Sequence, residues 1–337
     1  MLRLLLFPFS IIYDLITRIR NHLYDIGHRS SFRFDVPVIS IGNLNAGGSG
    51  KTPMTEYIIR LLSSKYKLAT LSRGYGRRSK GFRIAGQSDN ASTIGDEPYQ
   101  MFLKFGKNVI VTVGEDRAYA IPNILQEFDG IDCILLDDAF QHRAVNPSLS
   151  ILLTEYHRPF TKDHVLPAGN LREARKGAAR ADVIVVTKCP TIKVPMDSLV
   201  GDIRKYAGDK PVFFTSIGYK ELVAFGDLSS PAGKIILVTG IANPEPFIEY
   251  FRSRFEVIKH IRFGDHHAFT ENDVNDIHFE AGQMTDAAIV TTEKDMVRLR
   301  SFSSVKDHPW FYVPIEVQFL ENGVEFDELL VRHLKAD

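Results

Sequence analysis

The stretch SIGNLNAGGSGKTPMTEYIIRLL, running from Ser40 to Leu62, sets a glycine-rich turn and a Lys-Thr pair between an apolar run and a segment of helical period. It reads as strand, turn and helix, the order in which a phosphate-binding loop occurs. The strict pattern G-x-x-x-x-G-K-[ST] asks for glycine six positions before the lysine, and Asn45 stands there instead. The tighter core of Gly47, Gly48, Ser49, Gly50, Lys51 and Thr52 is intact. In such a loop the backbone N–H groups and the helix N-terminus face the phosphates. Lys51 reaches the β- and γ-phosphates, and Thr52 offers its hydroxyl to Mg²⁺. Asn45 removes none of these groups.

Outward from the loop, apolar runs recur at VPVISIGNL, KLATLS, NVIVTVG, IDCILLDD, LSILLTE and ADVIVVTK, with intervals long enough for helices. Near-continuous apolar strands alternating with helices predict a parallel sheet covered on both faces. A second set follows at PVFFTSIGY, KIILVTGIA, EVIKHIRF, AAIVTTEKD and WFYVPIEVQF, with helices expected at Pro246 to Arg254 and Asp273 to Ala281. The expected class is α/β, with an N-terminal amphipathic helix over residues 1–30, a P-loop NTPase-type parallel-sheet domain over 31–215 and a smaller α/β domain over 216–337. The turn-rich FGDLSSPAGK is expected to join the second domain to the first.

A P-loop needs a second metal anchor, an acid at the end of a neighbouring buried strand, and IDCILLDDAFQH supplies Asp137 and Asp138. An unpaired aspartate there is costly unless it meets a cation, although adjacent acids can also cap a helix. Gln141 and His142 lie just beyond, placed to contact phosphate or to orient the metal ligands. Thr187, Lys188 and Cys189 are followed by Pro190 where guanine-specific loops carry an aspartate, so ATP is expected rather than GTP.

The balance of 41 basic against 41 acidic residues gives no support to nucleic-acid binding. Basic clusters are local, at Arg73, Arg77 and Arg78 and again at Arg172, Arg175, Lys176 and Arg180. They suit phosphate or a solvated surface equally. Cys133 and Cys189 lack metal-ligand spacing and read as buried thiols of a reducing, cytoplasmic compartment.

The opening MLRLLLFPFSIIYDLITRIRNHLYDIG carries an uncharged run of ten residues from Leu4 to Tyr13, far short of a membrane span. Asp14 and the absence of a small-x-small site speak against a signal peptide. Ile12, Leu15, Ile16, Ile19, Leu23 and Ile26 recur at helical spacing, opposite Asp14, Thr17, Arg18, Asn21 and Asp25. Such a helix either lies in a lipid interface, with Leu4 to Phe9 among acyl chains and Arg3, Arg18 and Arg20 near head groups, or packs on the protein's own core.

The segments IGNLNAGGSGKTP, LSRGYGRRSKG, GDEPYQM, DDAFQHR, LPAGNLREARKG, FGDHHAFT and TTEKDMVRL, in this order along nearly the whole chain, resemble the tetraacyldisaccharide 4'-kinase family. The resemblance implies a monotopic kinase on the cytoplasmic face of the inner membrane of Gram-negative bacteria. It would transfer the γ-phosphate of ATP to the 4'-hydroxyl of a tetraacyldisaccharide 1-phosphate, with Mg²⁺ and without an obligate protein partner. It further implies a catalytic pair of Asp96 and His266 across an interdomain cleft. His267 remains an alternative to His266. Asp96 read alone would also serve as a helix cap, and the Asp265-His266-His267 trio as a metal half-site or a surface turn. Arg172 and Glu173 resemble the family's cluster beside the nucleotide, the arginine countering transition-state charge and the glutamate near the metal. Arg73, Arg77 and Arg78 would cradle the acceptor's 1-phosphate. Two residues depart from the family pattern. Ala139 replaces a glycine and Ala174 a proline, which puts the local backbone in question but no reactive group.

A partition- or metallochaperone-type switch ATPase is the alternative for the glycine loop. That class often carries a signature lysine where this chain has Ala46.

Overall fold

Strand β5 (Cys133–Asp137) points Cys133 and Leu135 to one side of its sheet and Ile134 and Leu136 to the other, and both sides are packed. Burial on two faces is why the run is apolar throughout rather than alternating. The computed structural model describes residues 6–191, 196–226, 233–284 and 287–335. In it β5 lies beside β1 (Val38–Asn43) in a nine-stranded sheet that also holds β2 (Leu68–Ser72), β3 (Arg83–Ile84), β4 (Val109–Val113), β6 (Leu149–Glu155), β7 (Val183–Thr187), β8 (Val212–Tyr219) and a late strand, Ile315–Phe319. The seven strands from β8 across to β4 are mutually parallel, and only the short β3 and the late strand at the edges run antiparallel. Because β1 sits between β5 and β6, Ile41 pairs with Asp137 and the turn after β1 opens beside the acid pair. Ligands of such sheets bind at the carboxyl ends of strands where the order reverses, and the glycine loop stands at that place.

A second sheet has the order β11–β10–β12–β13–β9, formed by β9 (Val223–Ala224), β10 (Lys234–Thr239), β11 (Glu256–Arg262), β12 (Ala287–Thr292) and β13 (Trp310–Val313). One face packs Ile236, Val238, Ile289 and Trp310, the other Ile235, Leu237, Val290 and Phe251.

The smaller unit, expected to run to residue 337, stops earlier. WFYVPIEVQF, expected as one strand, is two, split at Pro314. Its first half is β13 in the small sheet, whereas β14 (Ile315–Phe319) pairs with β8 of the large one. Proline has no N–H for a central ladder and marks the crossing. The chain then ends in a helix, Gly323–Lys335, whose Phe326 and Leu330 pack with Ile58 and Phe213 in the large core. The smaller unit is therefore closed at about Val313, and the residues after it return to the first. Of the expected joining turn FGDLSSPAGK, residues 227–232 lie outside the described residues.

Helix α1 (Phe7–Asp25) is amphipathic in the sense opposite to a core helix. Ser10 and Thr17 are buried, while Phe9, Ile11, Ile12, Leu15, Ile16 and Ile19 are each more than half exposed. Its polar side is bonded to the body: Arg20 donates to the Gln141 carbonyl at 2.8 Å and Asn21 to Glu173 at 2.7 Å. The reading in which the apolar stripe meets the protein's own core is thus overturned. Among the described residues no helix is long and apolar enough to cross a membrane. Arg3, Leu4 and Leu5 lie outside the described residues.

Both cysteines are free and buried, and burial pushes the Cys133 thiol up to about 12 and that of Cys189 to about 11, so neither is a nucleophile near neutrality. In the smaller unit, Trp310 Nε1–H donates to His278 Nε2 at 2.9 Å, and His278 stacks on His308 with centroids 3.6 Å apart. Burial, then the neighbouring His308, pushes His278 down from 6.5 to about 4. Between these pH values the unfolded chain takes up a proton that the folded ring refuses, so stability falls as pH drops from 6.5 towards 4. We expect a loss of about 1–2 kcal/mol from this histidine, allowing for partial solvent access. Thermal melts across that range should show a shallower decline in His278→Gln, and an unchanged slope would refute the assignment.

Candidate active site

The loop after β1 is held from outside through its carbonyls. Thr187 Oγ1–H donates to the Ser49 carbonyl at 2.9 Å. Lys188 donates to the Gly48 carbonyl and pairs with Glu155 at 2.7 Å. Gly47 (φ 112°) and Gly50 (φ 82°) take left-handed backbone that a side chain would strain, and Gly50 caps α2 (Lys51–Leu62) with no side chain between the helix end and a ligand. Asn45, the departure from the strict pattern, is a fixed post. Its Nδ2 donates to Asp163 at 2.9 Å, and the next N–H, of Ala46, donates to the Asn170 carbonyl at 2.7 Å. Lys51 Nζ lies 3.2 Å from Asn43 Oδ1 and 3.7 Å from Asp138 Oδ1.

Asp137 and Asp138 are adjacent and opposite in behaviour. Burial, then repulsion from Asp138, pushes Asp137 up to about 7. Burial would raise Asp138 too, but Lys51 and Arg172 outweigh it and hold that carboxyl below its usual range. Arg172 Nη1 lies 2.8 Å from Asp138 Oδ1 and 3.4 Å from Gln141 Oε1. Asp137 Oδ1 and Ser49 Oγ are buried without a hydrogen-bond partner. A buried, orphaned carboxylate oxygen beside a glycine loop fits a hard divalent cation, which takes oxygen ligands.

The two units meet over this floor. Helix α3 (Ala91–Ile94) ends at Gly95, and α4 (Asp96–Phe105) begins there. Gly95, not Asp96, is the N-cap of α4, so the cap reading of Asp96 does not hold. Gly95 stands at φ 95°, and a Cβ there would approach Gly74 to 3.0 Å, so the RGYG and GDEP turns abut glycine to glycine. Asp96 Oδ2 faces His266 Nδ1 at 3.6 Å and Arg298 Nε at 3.1 Å. His267 turns the other way, its Nε2 3.0 Å from Asp273 Oδ2. Adjacent residues project to different sides, and of the two histidines it is His266 that stands beside Asp96. The neighbouring Glu97 is close enough to Asp137 for its charge to raise that carboxyl further. Of the four non-glycine residues with left-handed backbone among those described, Asp138 (φ 49°) and His266 (φ 56°) stand at this cleft, and Lys188 (φ 56°) braces the glycine loop. Strain gathered at one place points to function.

Other expected residues are placed differently. Glu173 is 1% exposed and its oxygens are occupied by Asn21, by Gln141 at 3.2 Å and by Arg180 at 2.8 Å. Arg77 is spent internally, with a 2.6 Å pair to Glu115 and a second bond to the Gly81 carbonyl, whereas Arg73 and Arg78 are exposed. His142 accepts from the Arg117 N–H at 3.3 Å, and burial keeps it neutral near neutral pH, at about 4. The two family departures are benign. The left-handed residue is Asp138 rather than Ala139, and Ala174 sits at φ −56°, ψ 146°, where a proline would also sit.

Sequence reasoning missed Arg117, Asn43, Lys294 and Arg298. Arg117 is 3% exposed, lowered by burial to about 10, and feels both Asp137 and Asp138. In sequence it is one charge in GEDRAYA, indistinguishable from a solvated helix start.

A glycine loop at the end of a central parallel strand, an acid pair on the next strand and a carboxylate–imidazole pair across the cleft define a P-loop phosphotransferase. The family model described as Tetraacyldisaccharide-1-P 4'-kinase matches residues 2–335. The chain is 43% identical to the tetraacyldisaccharide 4'-kinase of Flavobacterium johnsoniae, covering 100% of this chain and 98% of that protein. It is 42% identical to the corresponding kinase of Parabacteroides distasonis, covering 98% and 94%. Among solved structures, LpxK from Aquifex aeolicus in complex with ATP matches with a TM-score of 0.78 at 30% identity, covering 99% of this chain and 100% of that one. The chain belongs to the tetraacyldisaccharide-1-P 4'-kinase family, and the switch-ATPase alternative is set aside.

Proposed function

We propose that this kinase moves the γ-phosphate of ATP to the 4'-hydroxyl of a tetraacyldisaccharide 1-phosphate at the cytoplasmic surface of the inner membrane. The observation that carries the reading is the meeting of Asp96 and His266 from two units over the Lys51 loop. The N–H groups of Gly47 to Lys51, with Lys51 itself, bind the β- and γ-phosphates and offset charge as it shifts to the leaving oxygen. Thr52, Asp137 and Asp138 would hold Mg²⁺, which when bound neutralises phosphate charge. Glu173, with its oxygens occupied, buttresses Gln141 and the segment carrying Arg172 instead of joining the metal set. Arg172 and Gln141 border the nucleotide. Asp96 has its Oδ2 engaged, so Oδ1 takes the proton of the acceptor hydroxyl while His266 supports the carboxylate from behind. Arg73 and Arg78 are free to meet the acceptor's 1-phosphate.

Labelled γ-phosphate should pass from ATP to the acceptor lipid in detergent micelles. Label recovered only as free phosphate would overturn the reading.

The exposed apolar face of α1 serves as the membrane contact, with Arg18 towards anionic head groups. We expect Ile12→Glu with Ile16→Glu to cut sedimentation with anionic phospholipid vesicles about tenfold or more, leaving the melting temperature unchanged. Equal binding by the double variant would exclude this face.

A further inference from the structure

Helix α5 (Glu293–Leu299), which follows β12 without a break, is short and carries four charges in seven residues. In sequence it resembles a solvated turn, yet Glu293 and Asp295 are buried and the Arg298 side chain is 10% exposed. Each charge has a task in one direction. Lys104 Nζ of α4 lies 2.7 Å from Glu293 Oε1 and also pairs with Glu56 on α2. Lys294 Nζ lies 3.2 Å from Glu97 and 3.1 Å from His266 Nε2. Asp295 Oδ2 accepts from the Gly240 N–H at 2.9 Å, and the Gly240 carbonyl accepts from the His266 N–H at 3.1 Å. Arg298 Nη1 donates to the His267 carbonyl at 2.8 Å while its Nε reaches Asp96 Oδ2.

We propose that Arg298 is a positioning residue for phosphoryl transfer, fixing Asp96 through Oδ2 so that Oδ1 faces the acceptor hydroxyl, with Lys294 holding His266 through Nε2. The inference rests on the reading of Asp96 as the base. An ammonium can only donate, so its contact with Nε2 selects the tautomer with the proton on Nδ1, the nitrogen that faces Asp96. The Arg298–Asp96 approach is an ion pair off the hydrogen-bond axis, and catalytic contacts of this kind tighten when substrate closes the site. Because the same guanidinium holds the backbone of the histidine loop, one side chain sets the relative placement of both members of the pair.

The test is a kinetic cycle on full-length protein with ATP and acceptor lipid in micelles. Arg298→Ala should lower kcat about 100-fold with the KM for ATP unchanged, the order expected from misplacing a reacting group. Millimolar guanidinium should restore part of that activity. In an Asp96→Asn background the further loss from Arg298→Ala should nearly vanish, since nothing remains to be positioned. If Arg298→Ala does not fold, Arg298→Lys is read instead, and it should fall between the two because it reaches one partner at a time. A kcat within twofold of wild type in the folded variant, or an equal loss with and without Asp96, overturns the positioning role. Normal turnover in Asp96→Asn alone would remove the base reading and this role with it. Loss in Asp96→Asn with normal Arg298→Ala would remove only the role of Arg298.

Discussion

Lys51→Ala is expected to reduce transfer of labelled phosphate about 10³-fold or more, because the lysine acts on both sides of the reaction centre. Nζ stands 3.7 Å from Asp138 and 3.2 Å from Asn43, between the glycine loop and the acid pair. Its charge is also the first that holds Asp138 ionised against burial, and it draws Asp137 downward. Removing it leaves two adjacent buried carboxylates with Arg172 and Arg117 as their remaining counterions. The pair then shares a proton more readily, which blunts it as a metal anchor. The variant should lose thermal protection by Mg-ATP as well as turnover. Transfer within tenfold of wild type, or undiminished protection, would mean that the loop is not the phosphate site.

The path to that lysine was legible in the sequence for physical reasons. Strands buried on both faces write themselves as unbroken apolar runs, and a loop that wraps phosphate needs glycines at left-handed positions. Gly47, Gly50, Lys51, Asp137 and Asp138 were therefore visible before any fold was known. Helices at Glu245–Arg252 and Glu271–Gly282 also lie where period and capping residues put them, within two residues at each end. The return of β14 to the large sheet was less legible, because a strand's local pattern carries no label for its sheet. Pro314 was the one available signal. For α1 the period identified a helix but could not say which side faces protein, since an apolar stripe is equally fit for a core and for lipid. The charges of α5 were illegible for the reverse reason. Seven residues are too few for a period, and a buried ion-pair network has the composition of a surface. The side chains that hold Glu173 were equally illegible, because they come from α1, 152 residues earlier, from Gln141 and from Arg180.

Asp96→Asn is expected to keep nucleotide binding and lower kcat by about 10²–10⁴, the range for removal of a general base. The exchange keeps shape and removes charge. The loop of Gly47 to Thr52 and the acid pair belong to the large unit's central strands and make no contact through Asp96, so thermal protection by Mg-ATP should match wild type. What changes is the oxygen that takes the proton, together with the partner of Arg298 and His266. The joint between the units should survive, because Lys104 with Glu293 and Lys294 with Glu97 remain. His266→Gln should cost less than Asp96→Asn, since the imidazole stands 3.6 Å away and supports the carboxylate without replacing it. This ordering separates the two members of the pair: were the histidine the base and the aspartate its orienter, the histidine variant would be at least as severe. Lys51→Ala loses binding and turnover together, whereas Asp96→Asn loses turnover alone. Turnover within tenfold of wild type in Asp96→Asn would take the carboxylate out of the chemistry and leave its pairing with Arg298 as a joint between the two units.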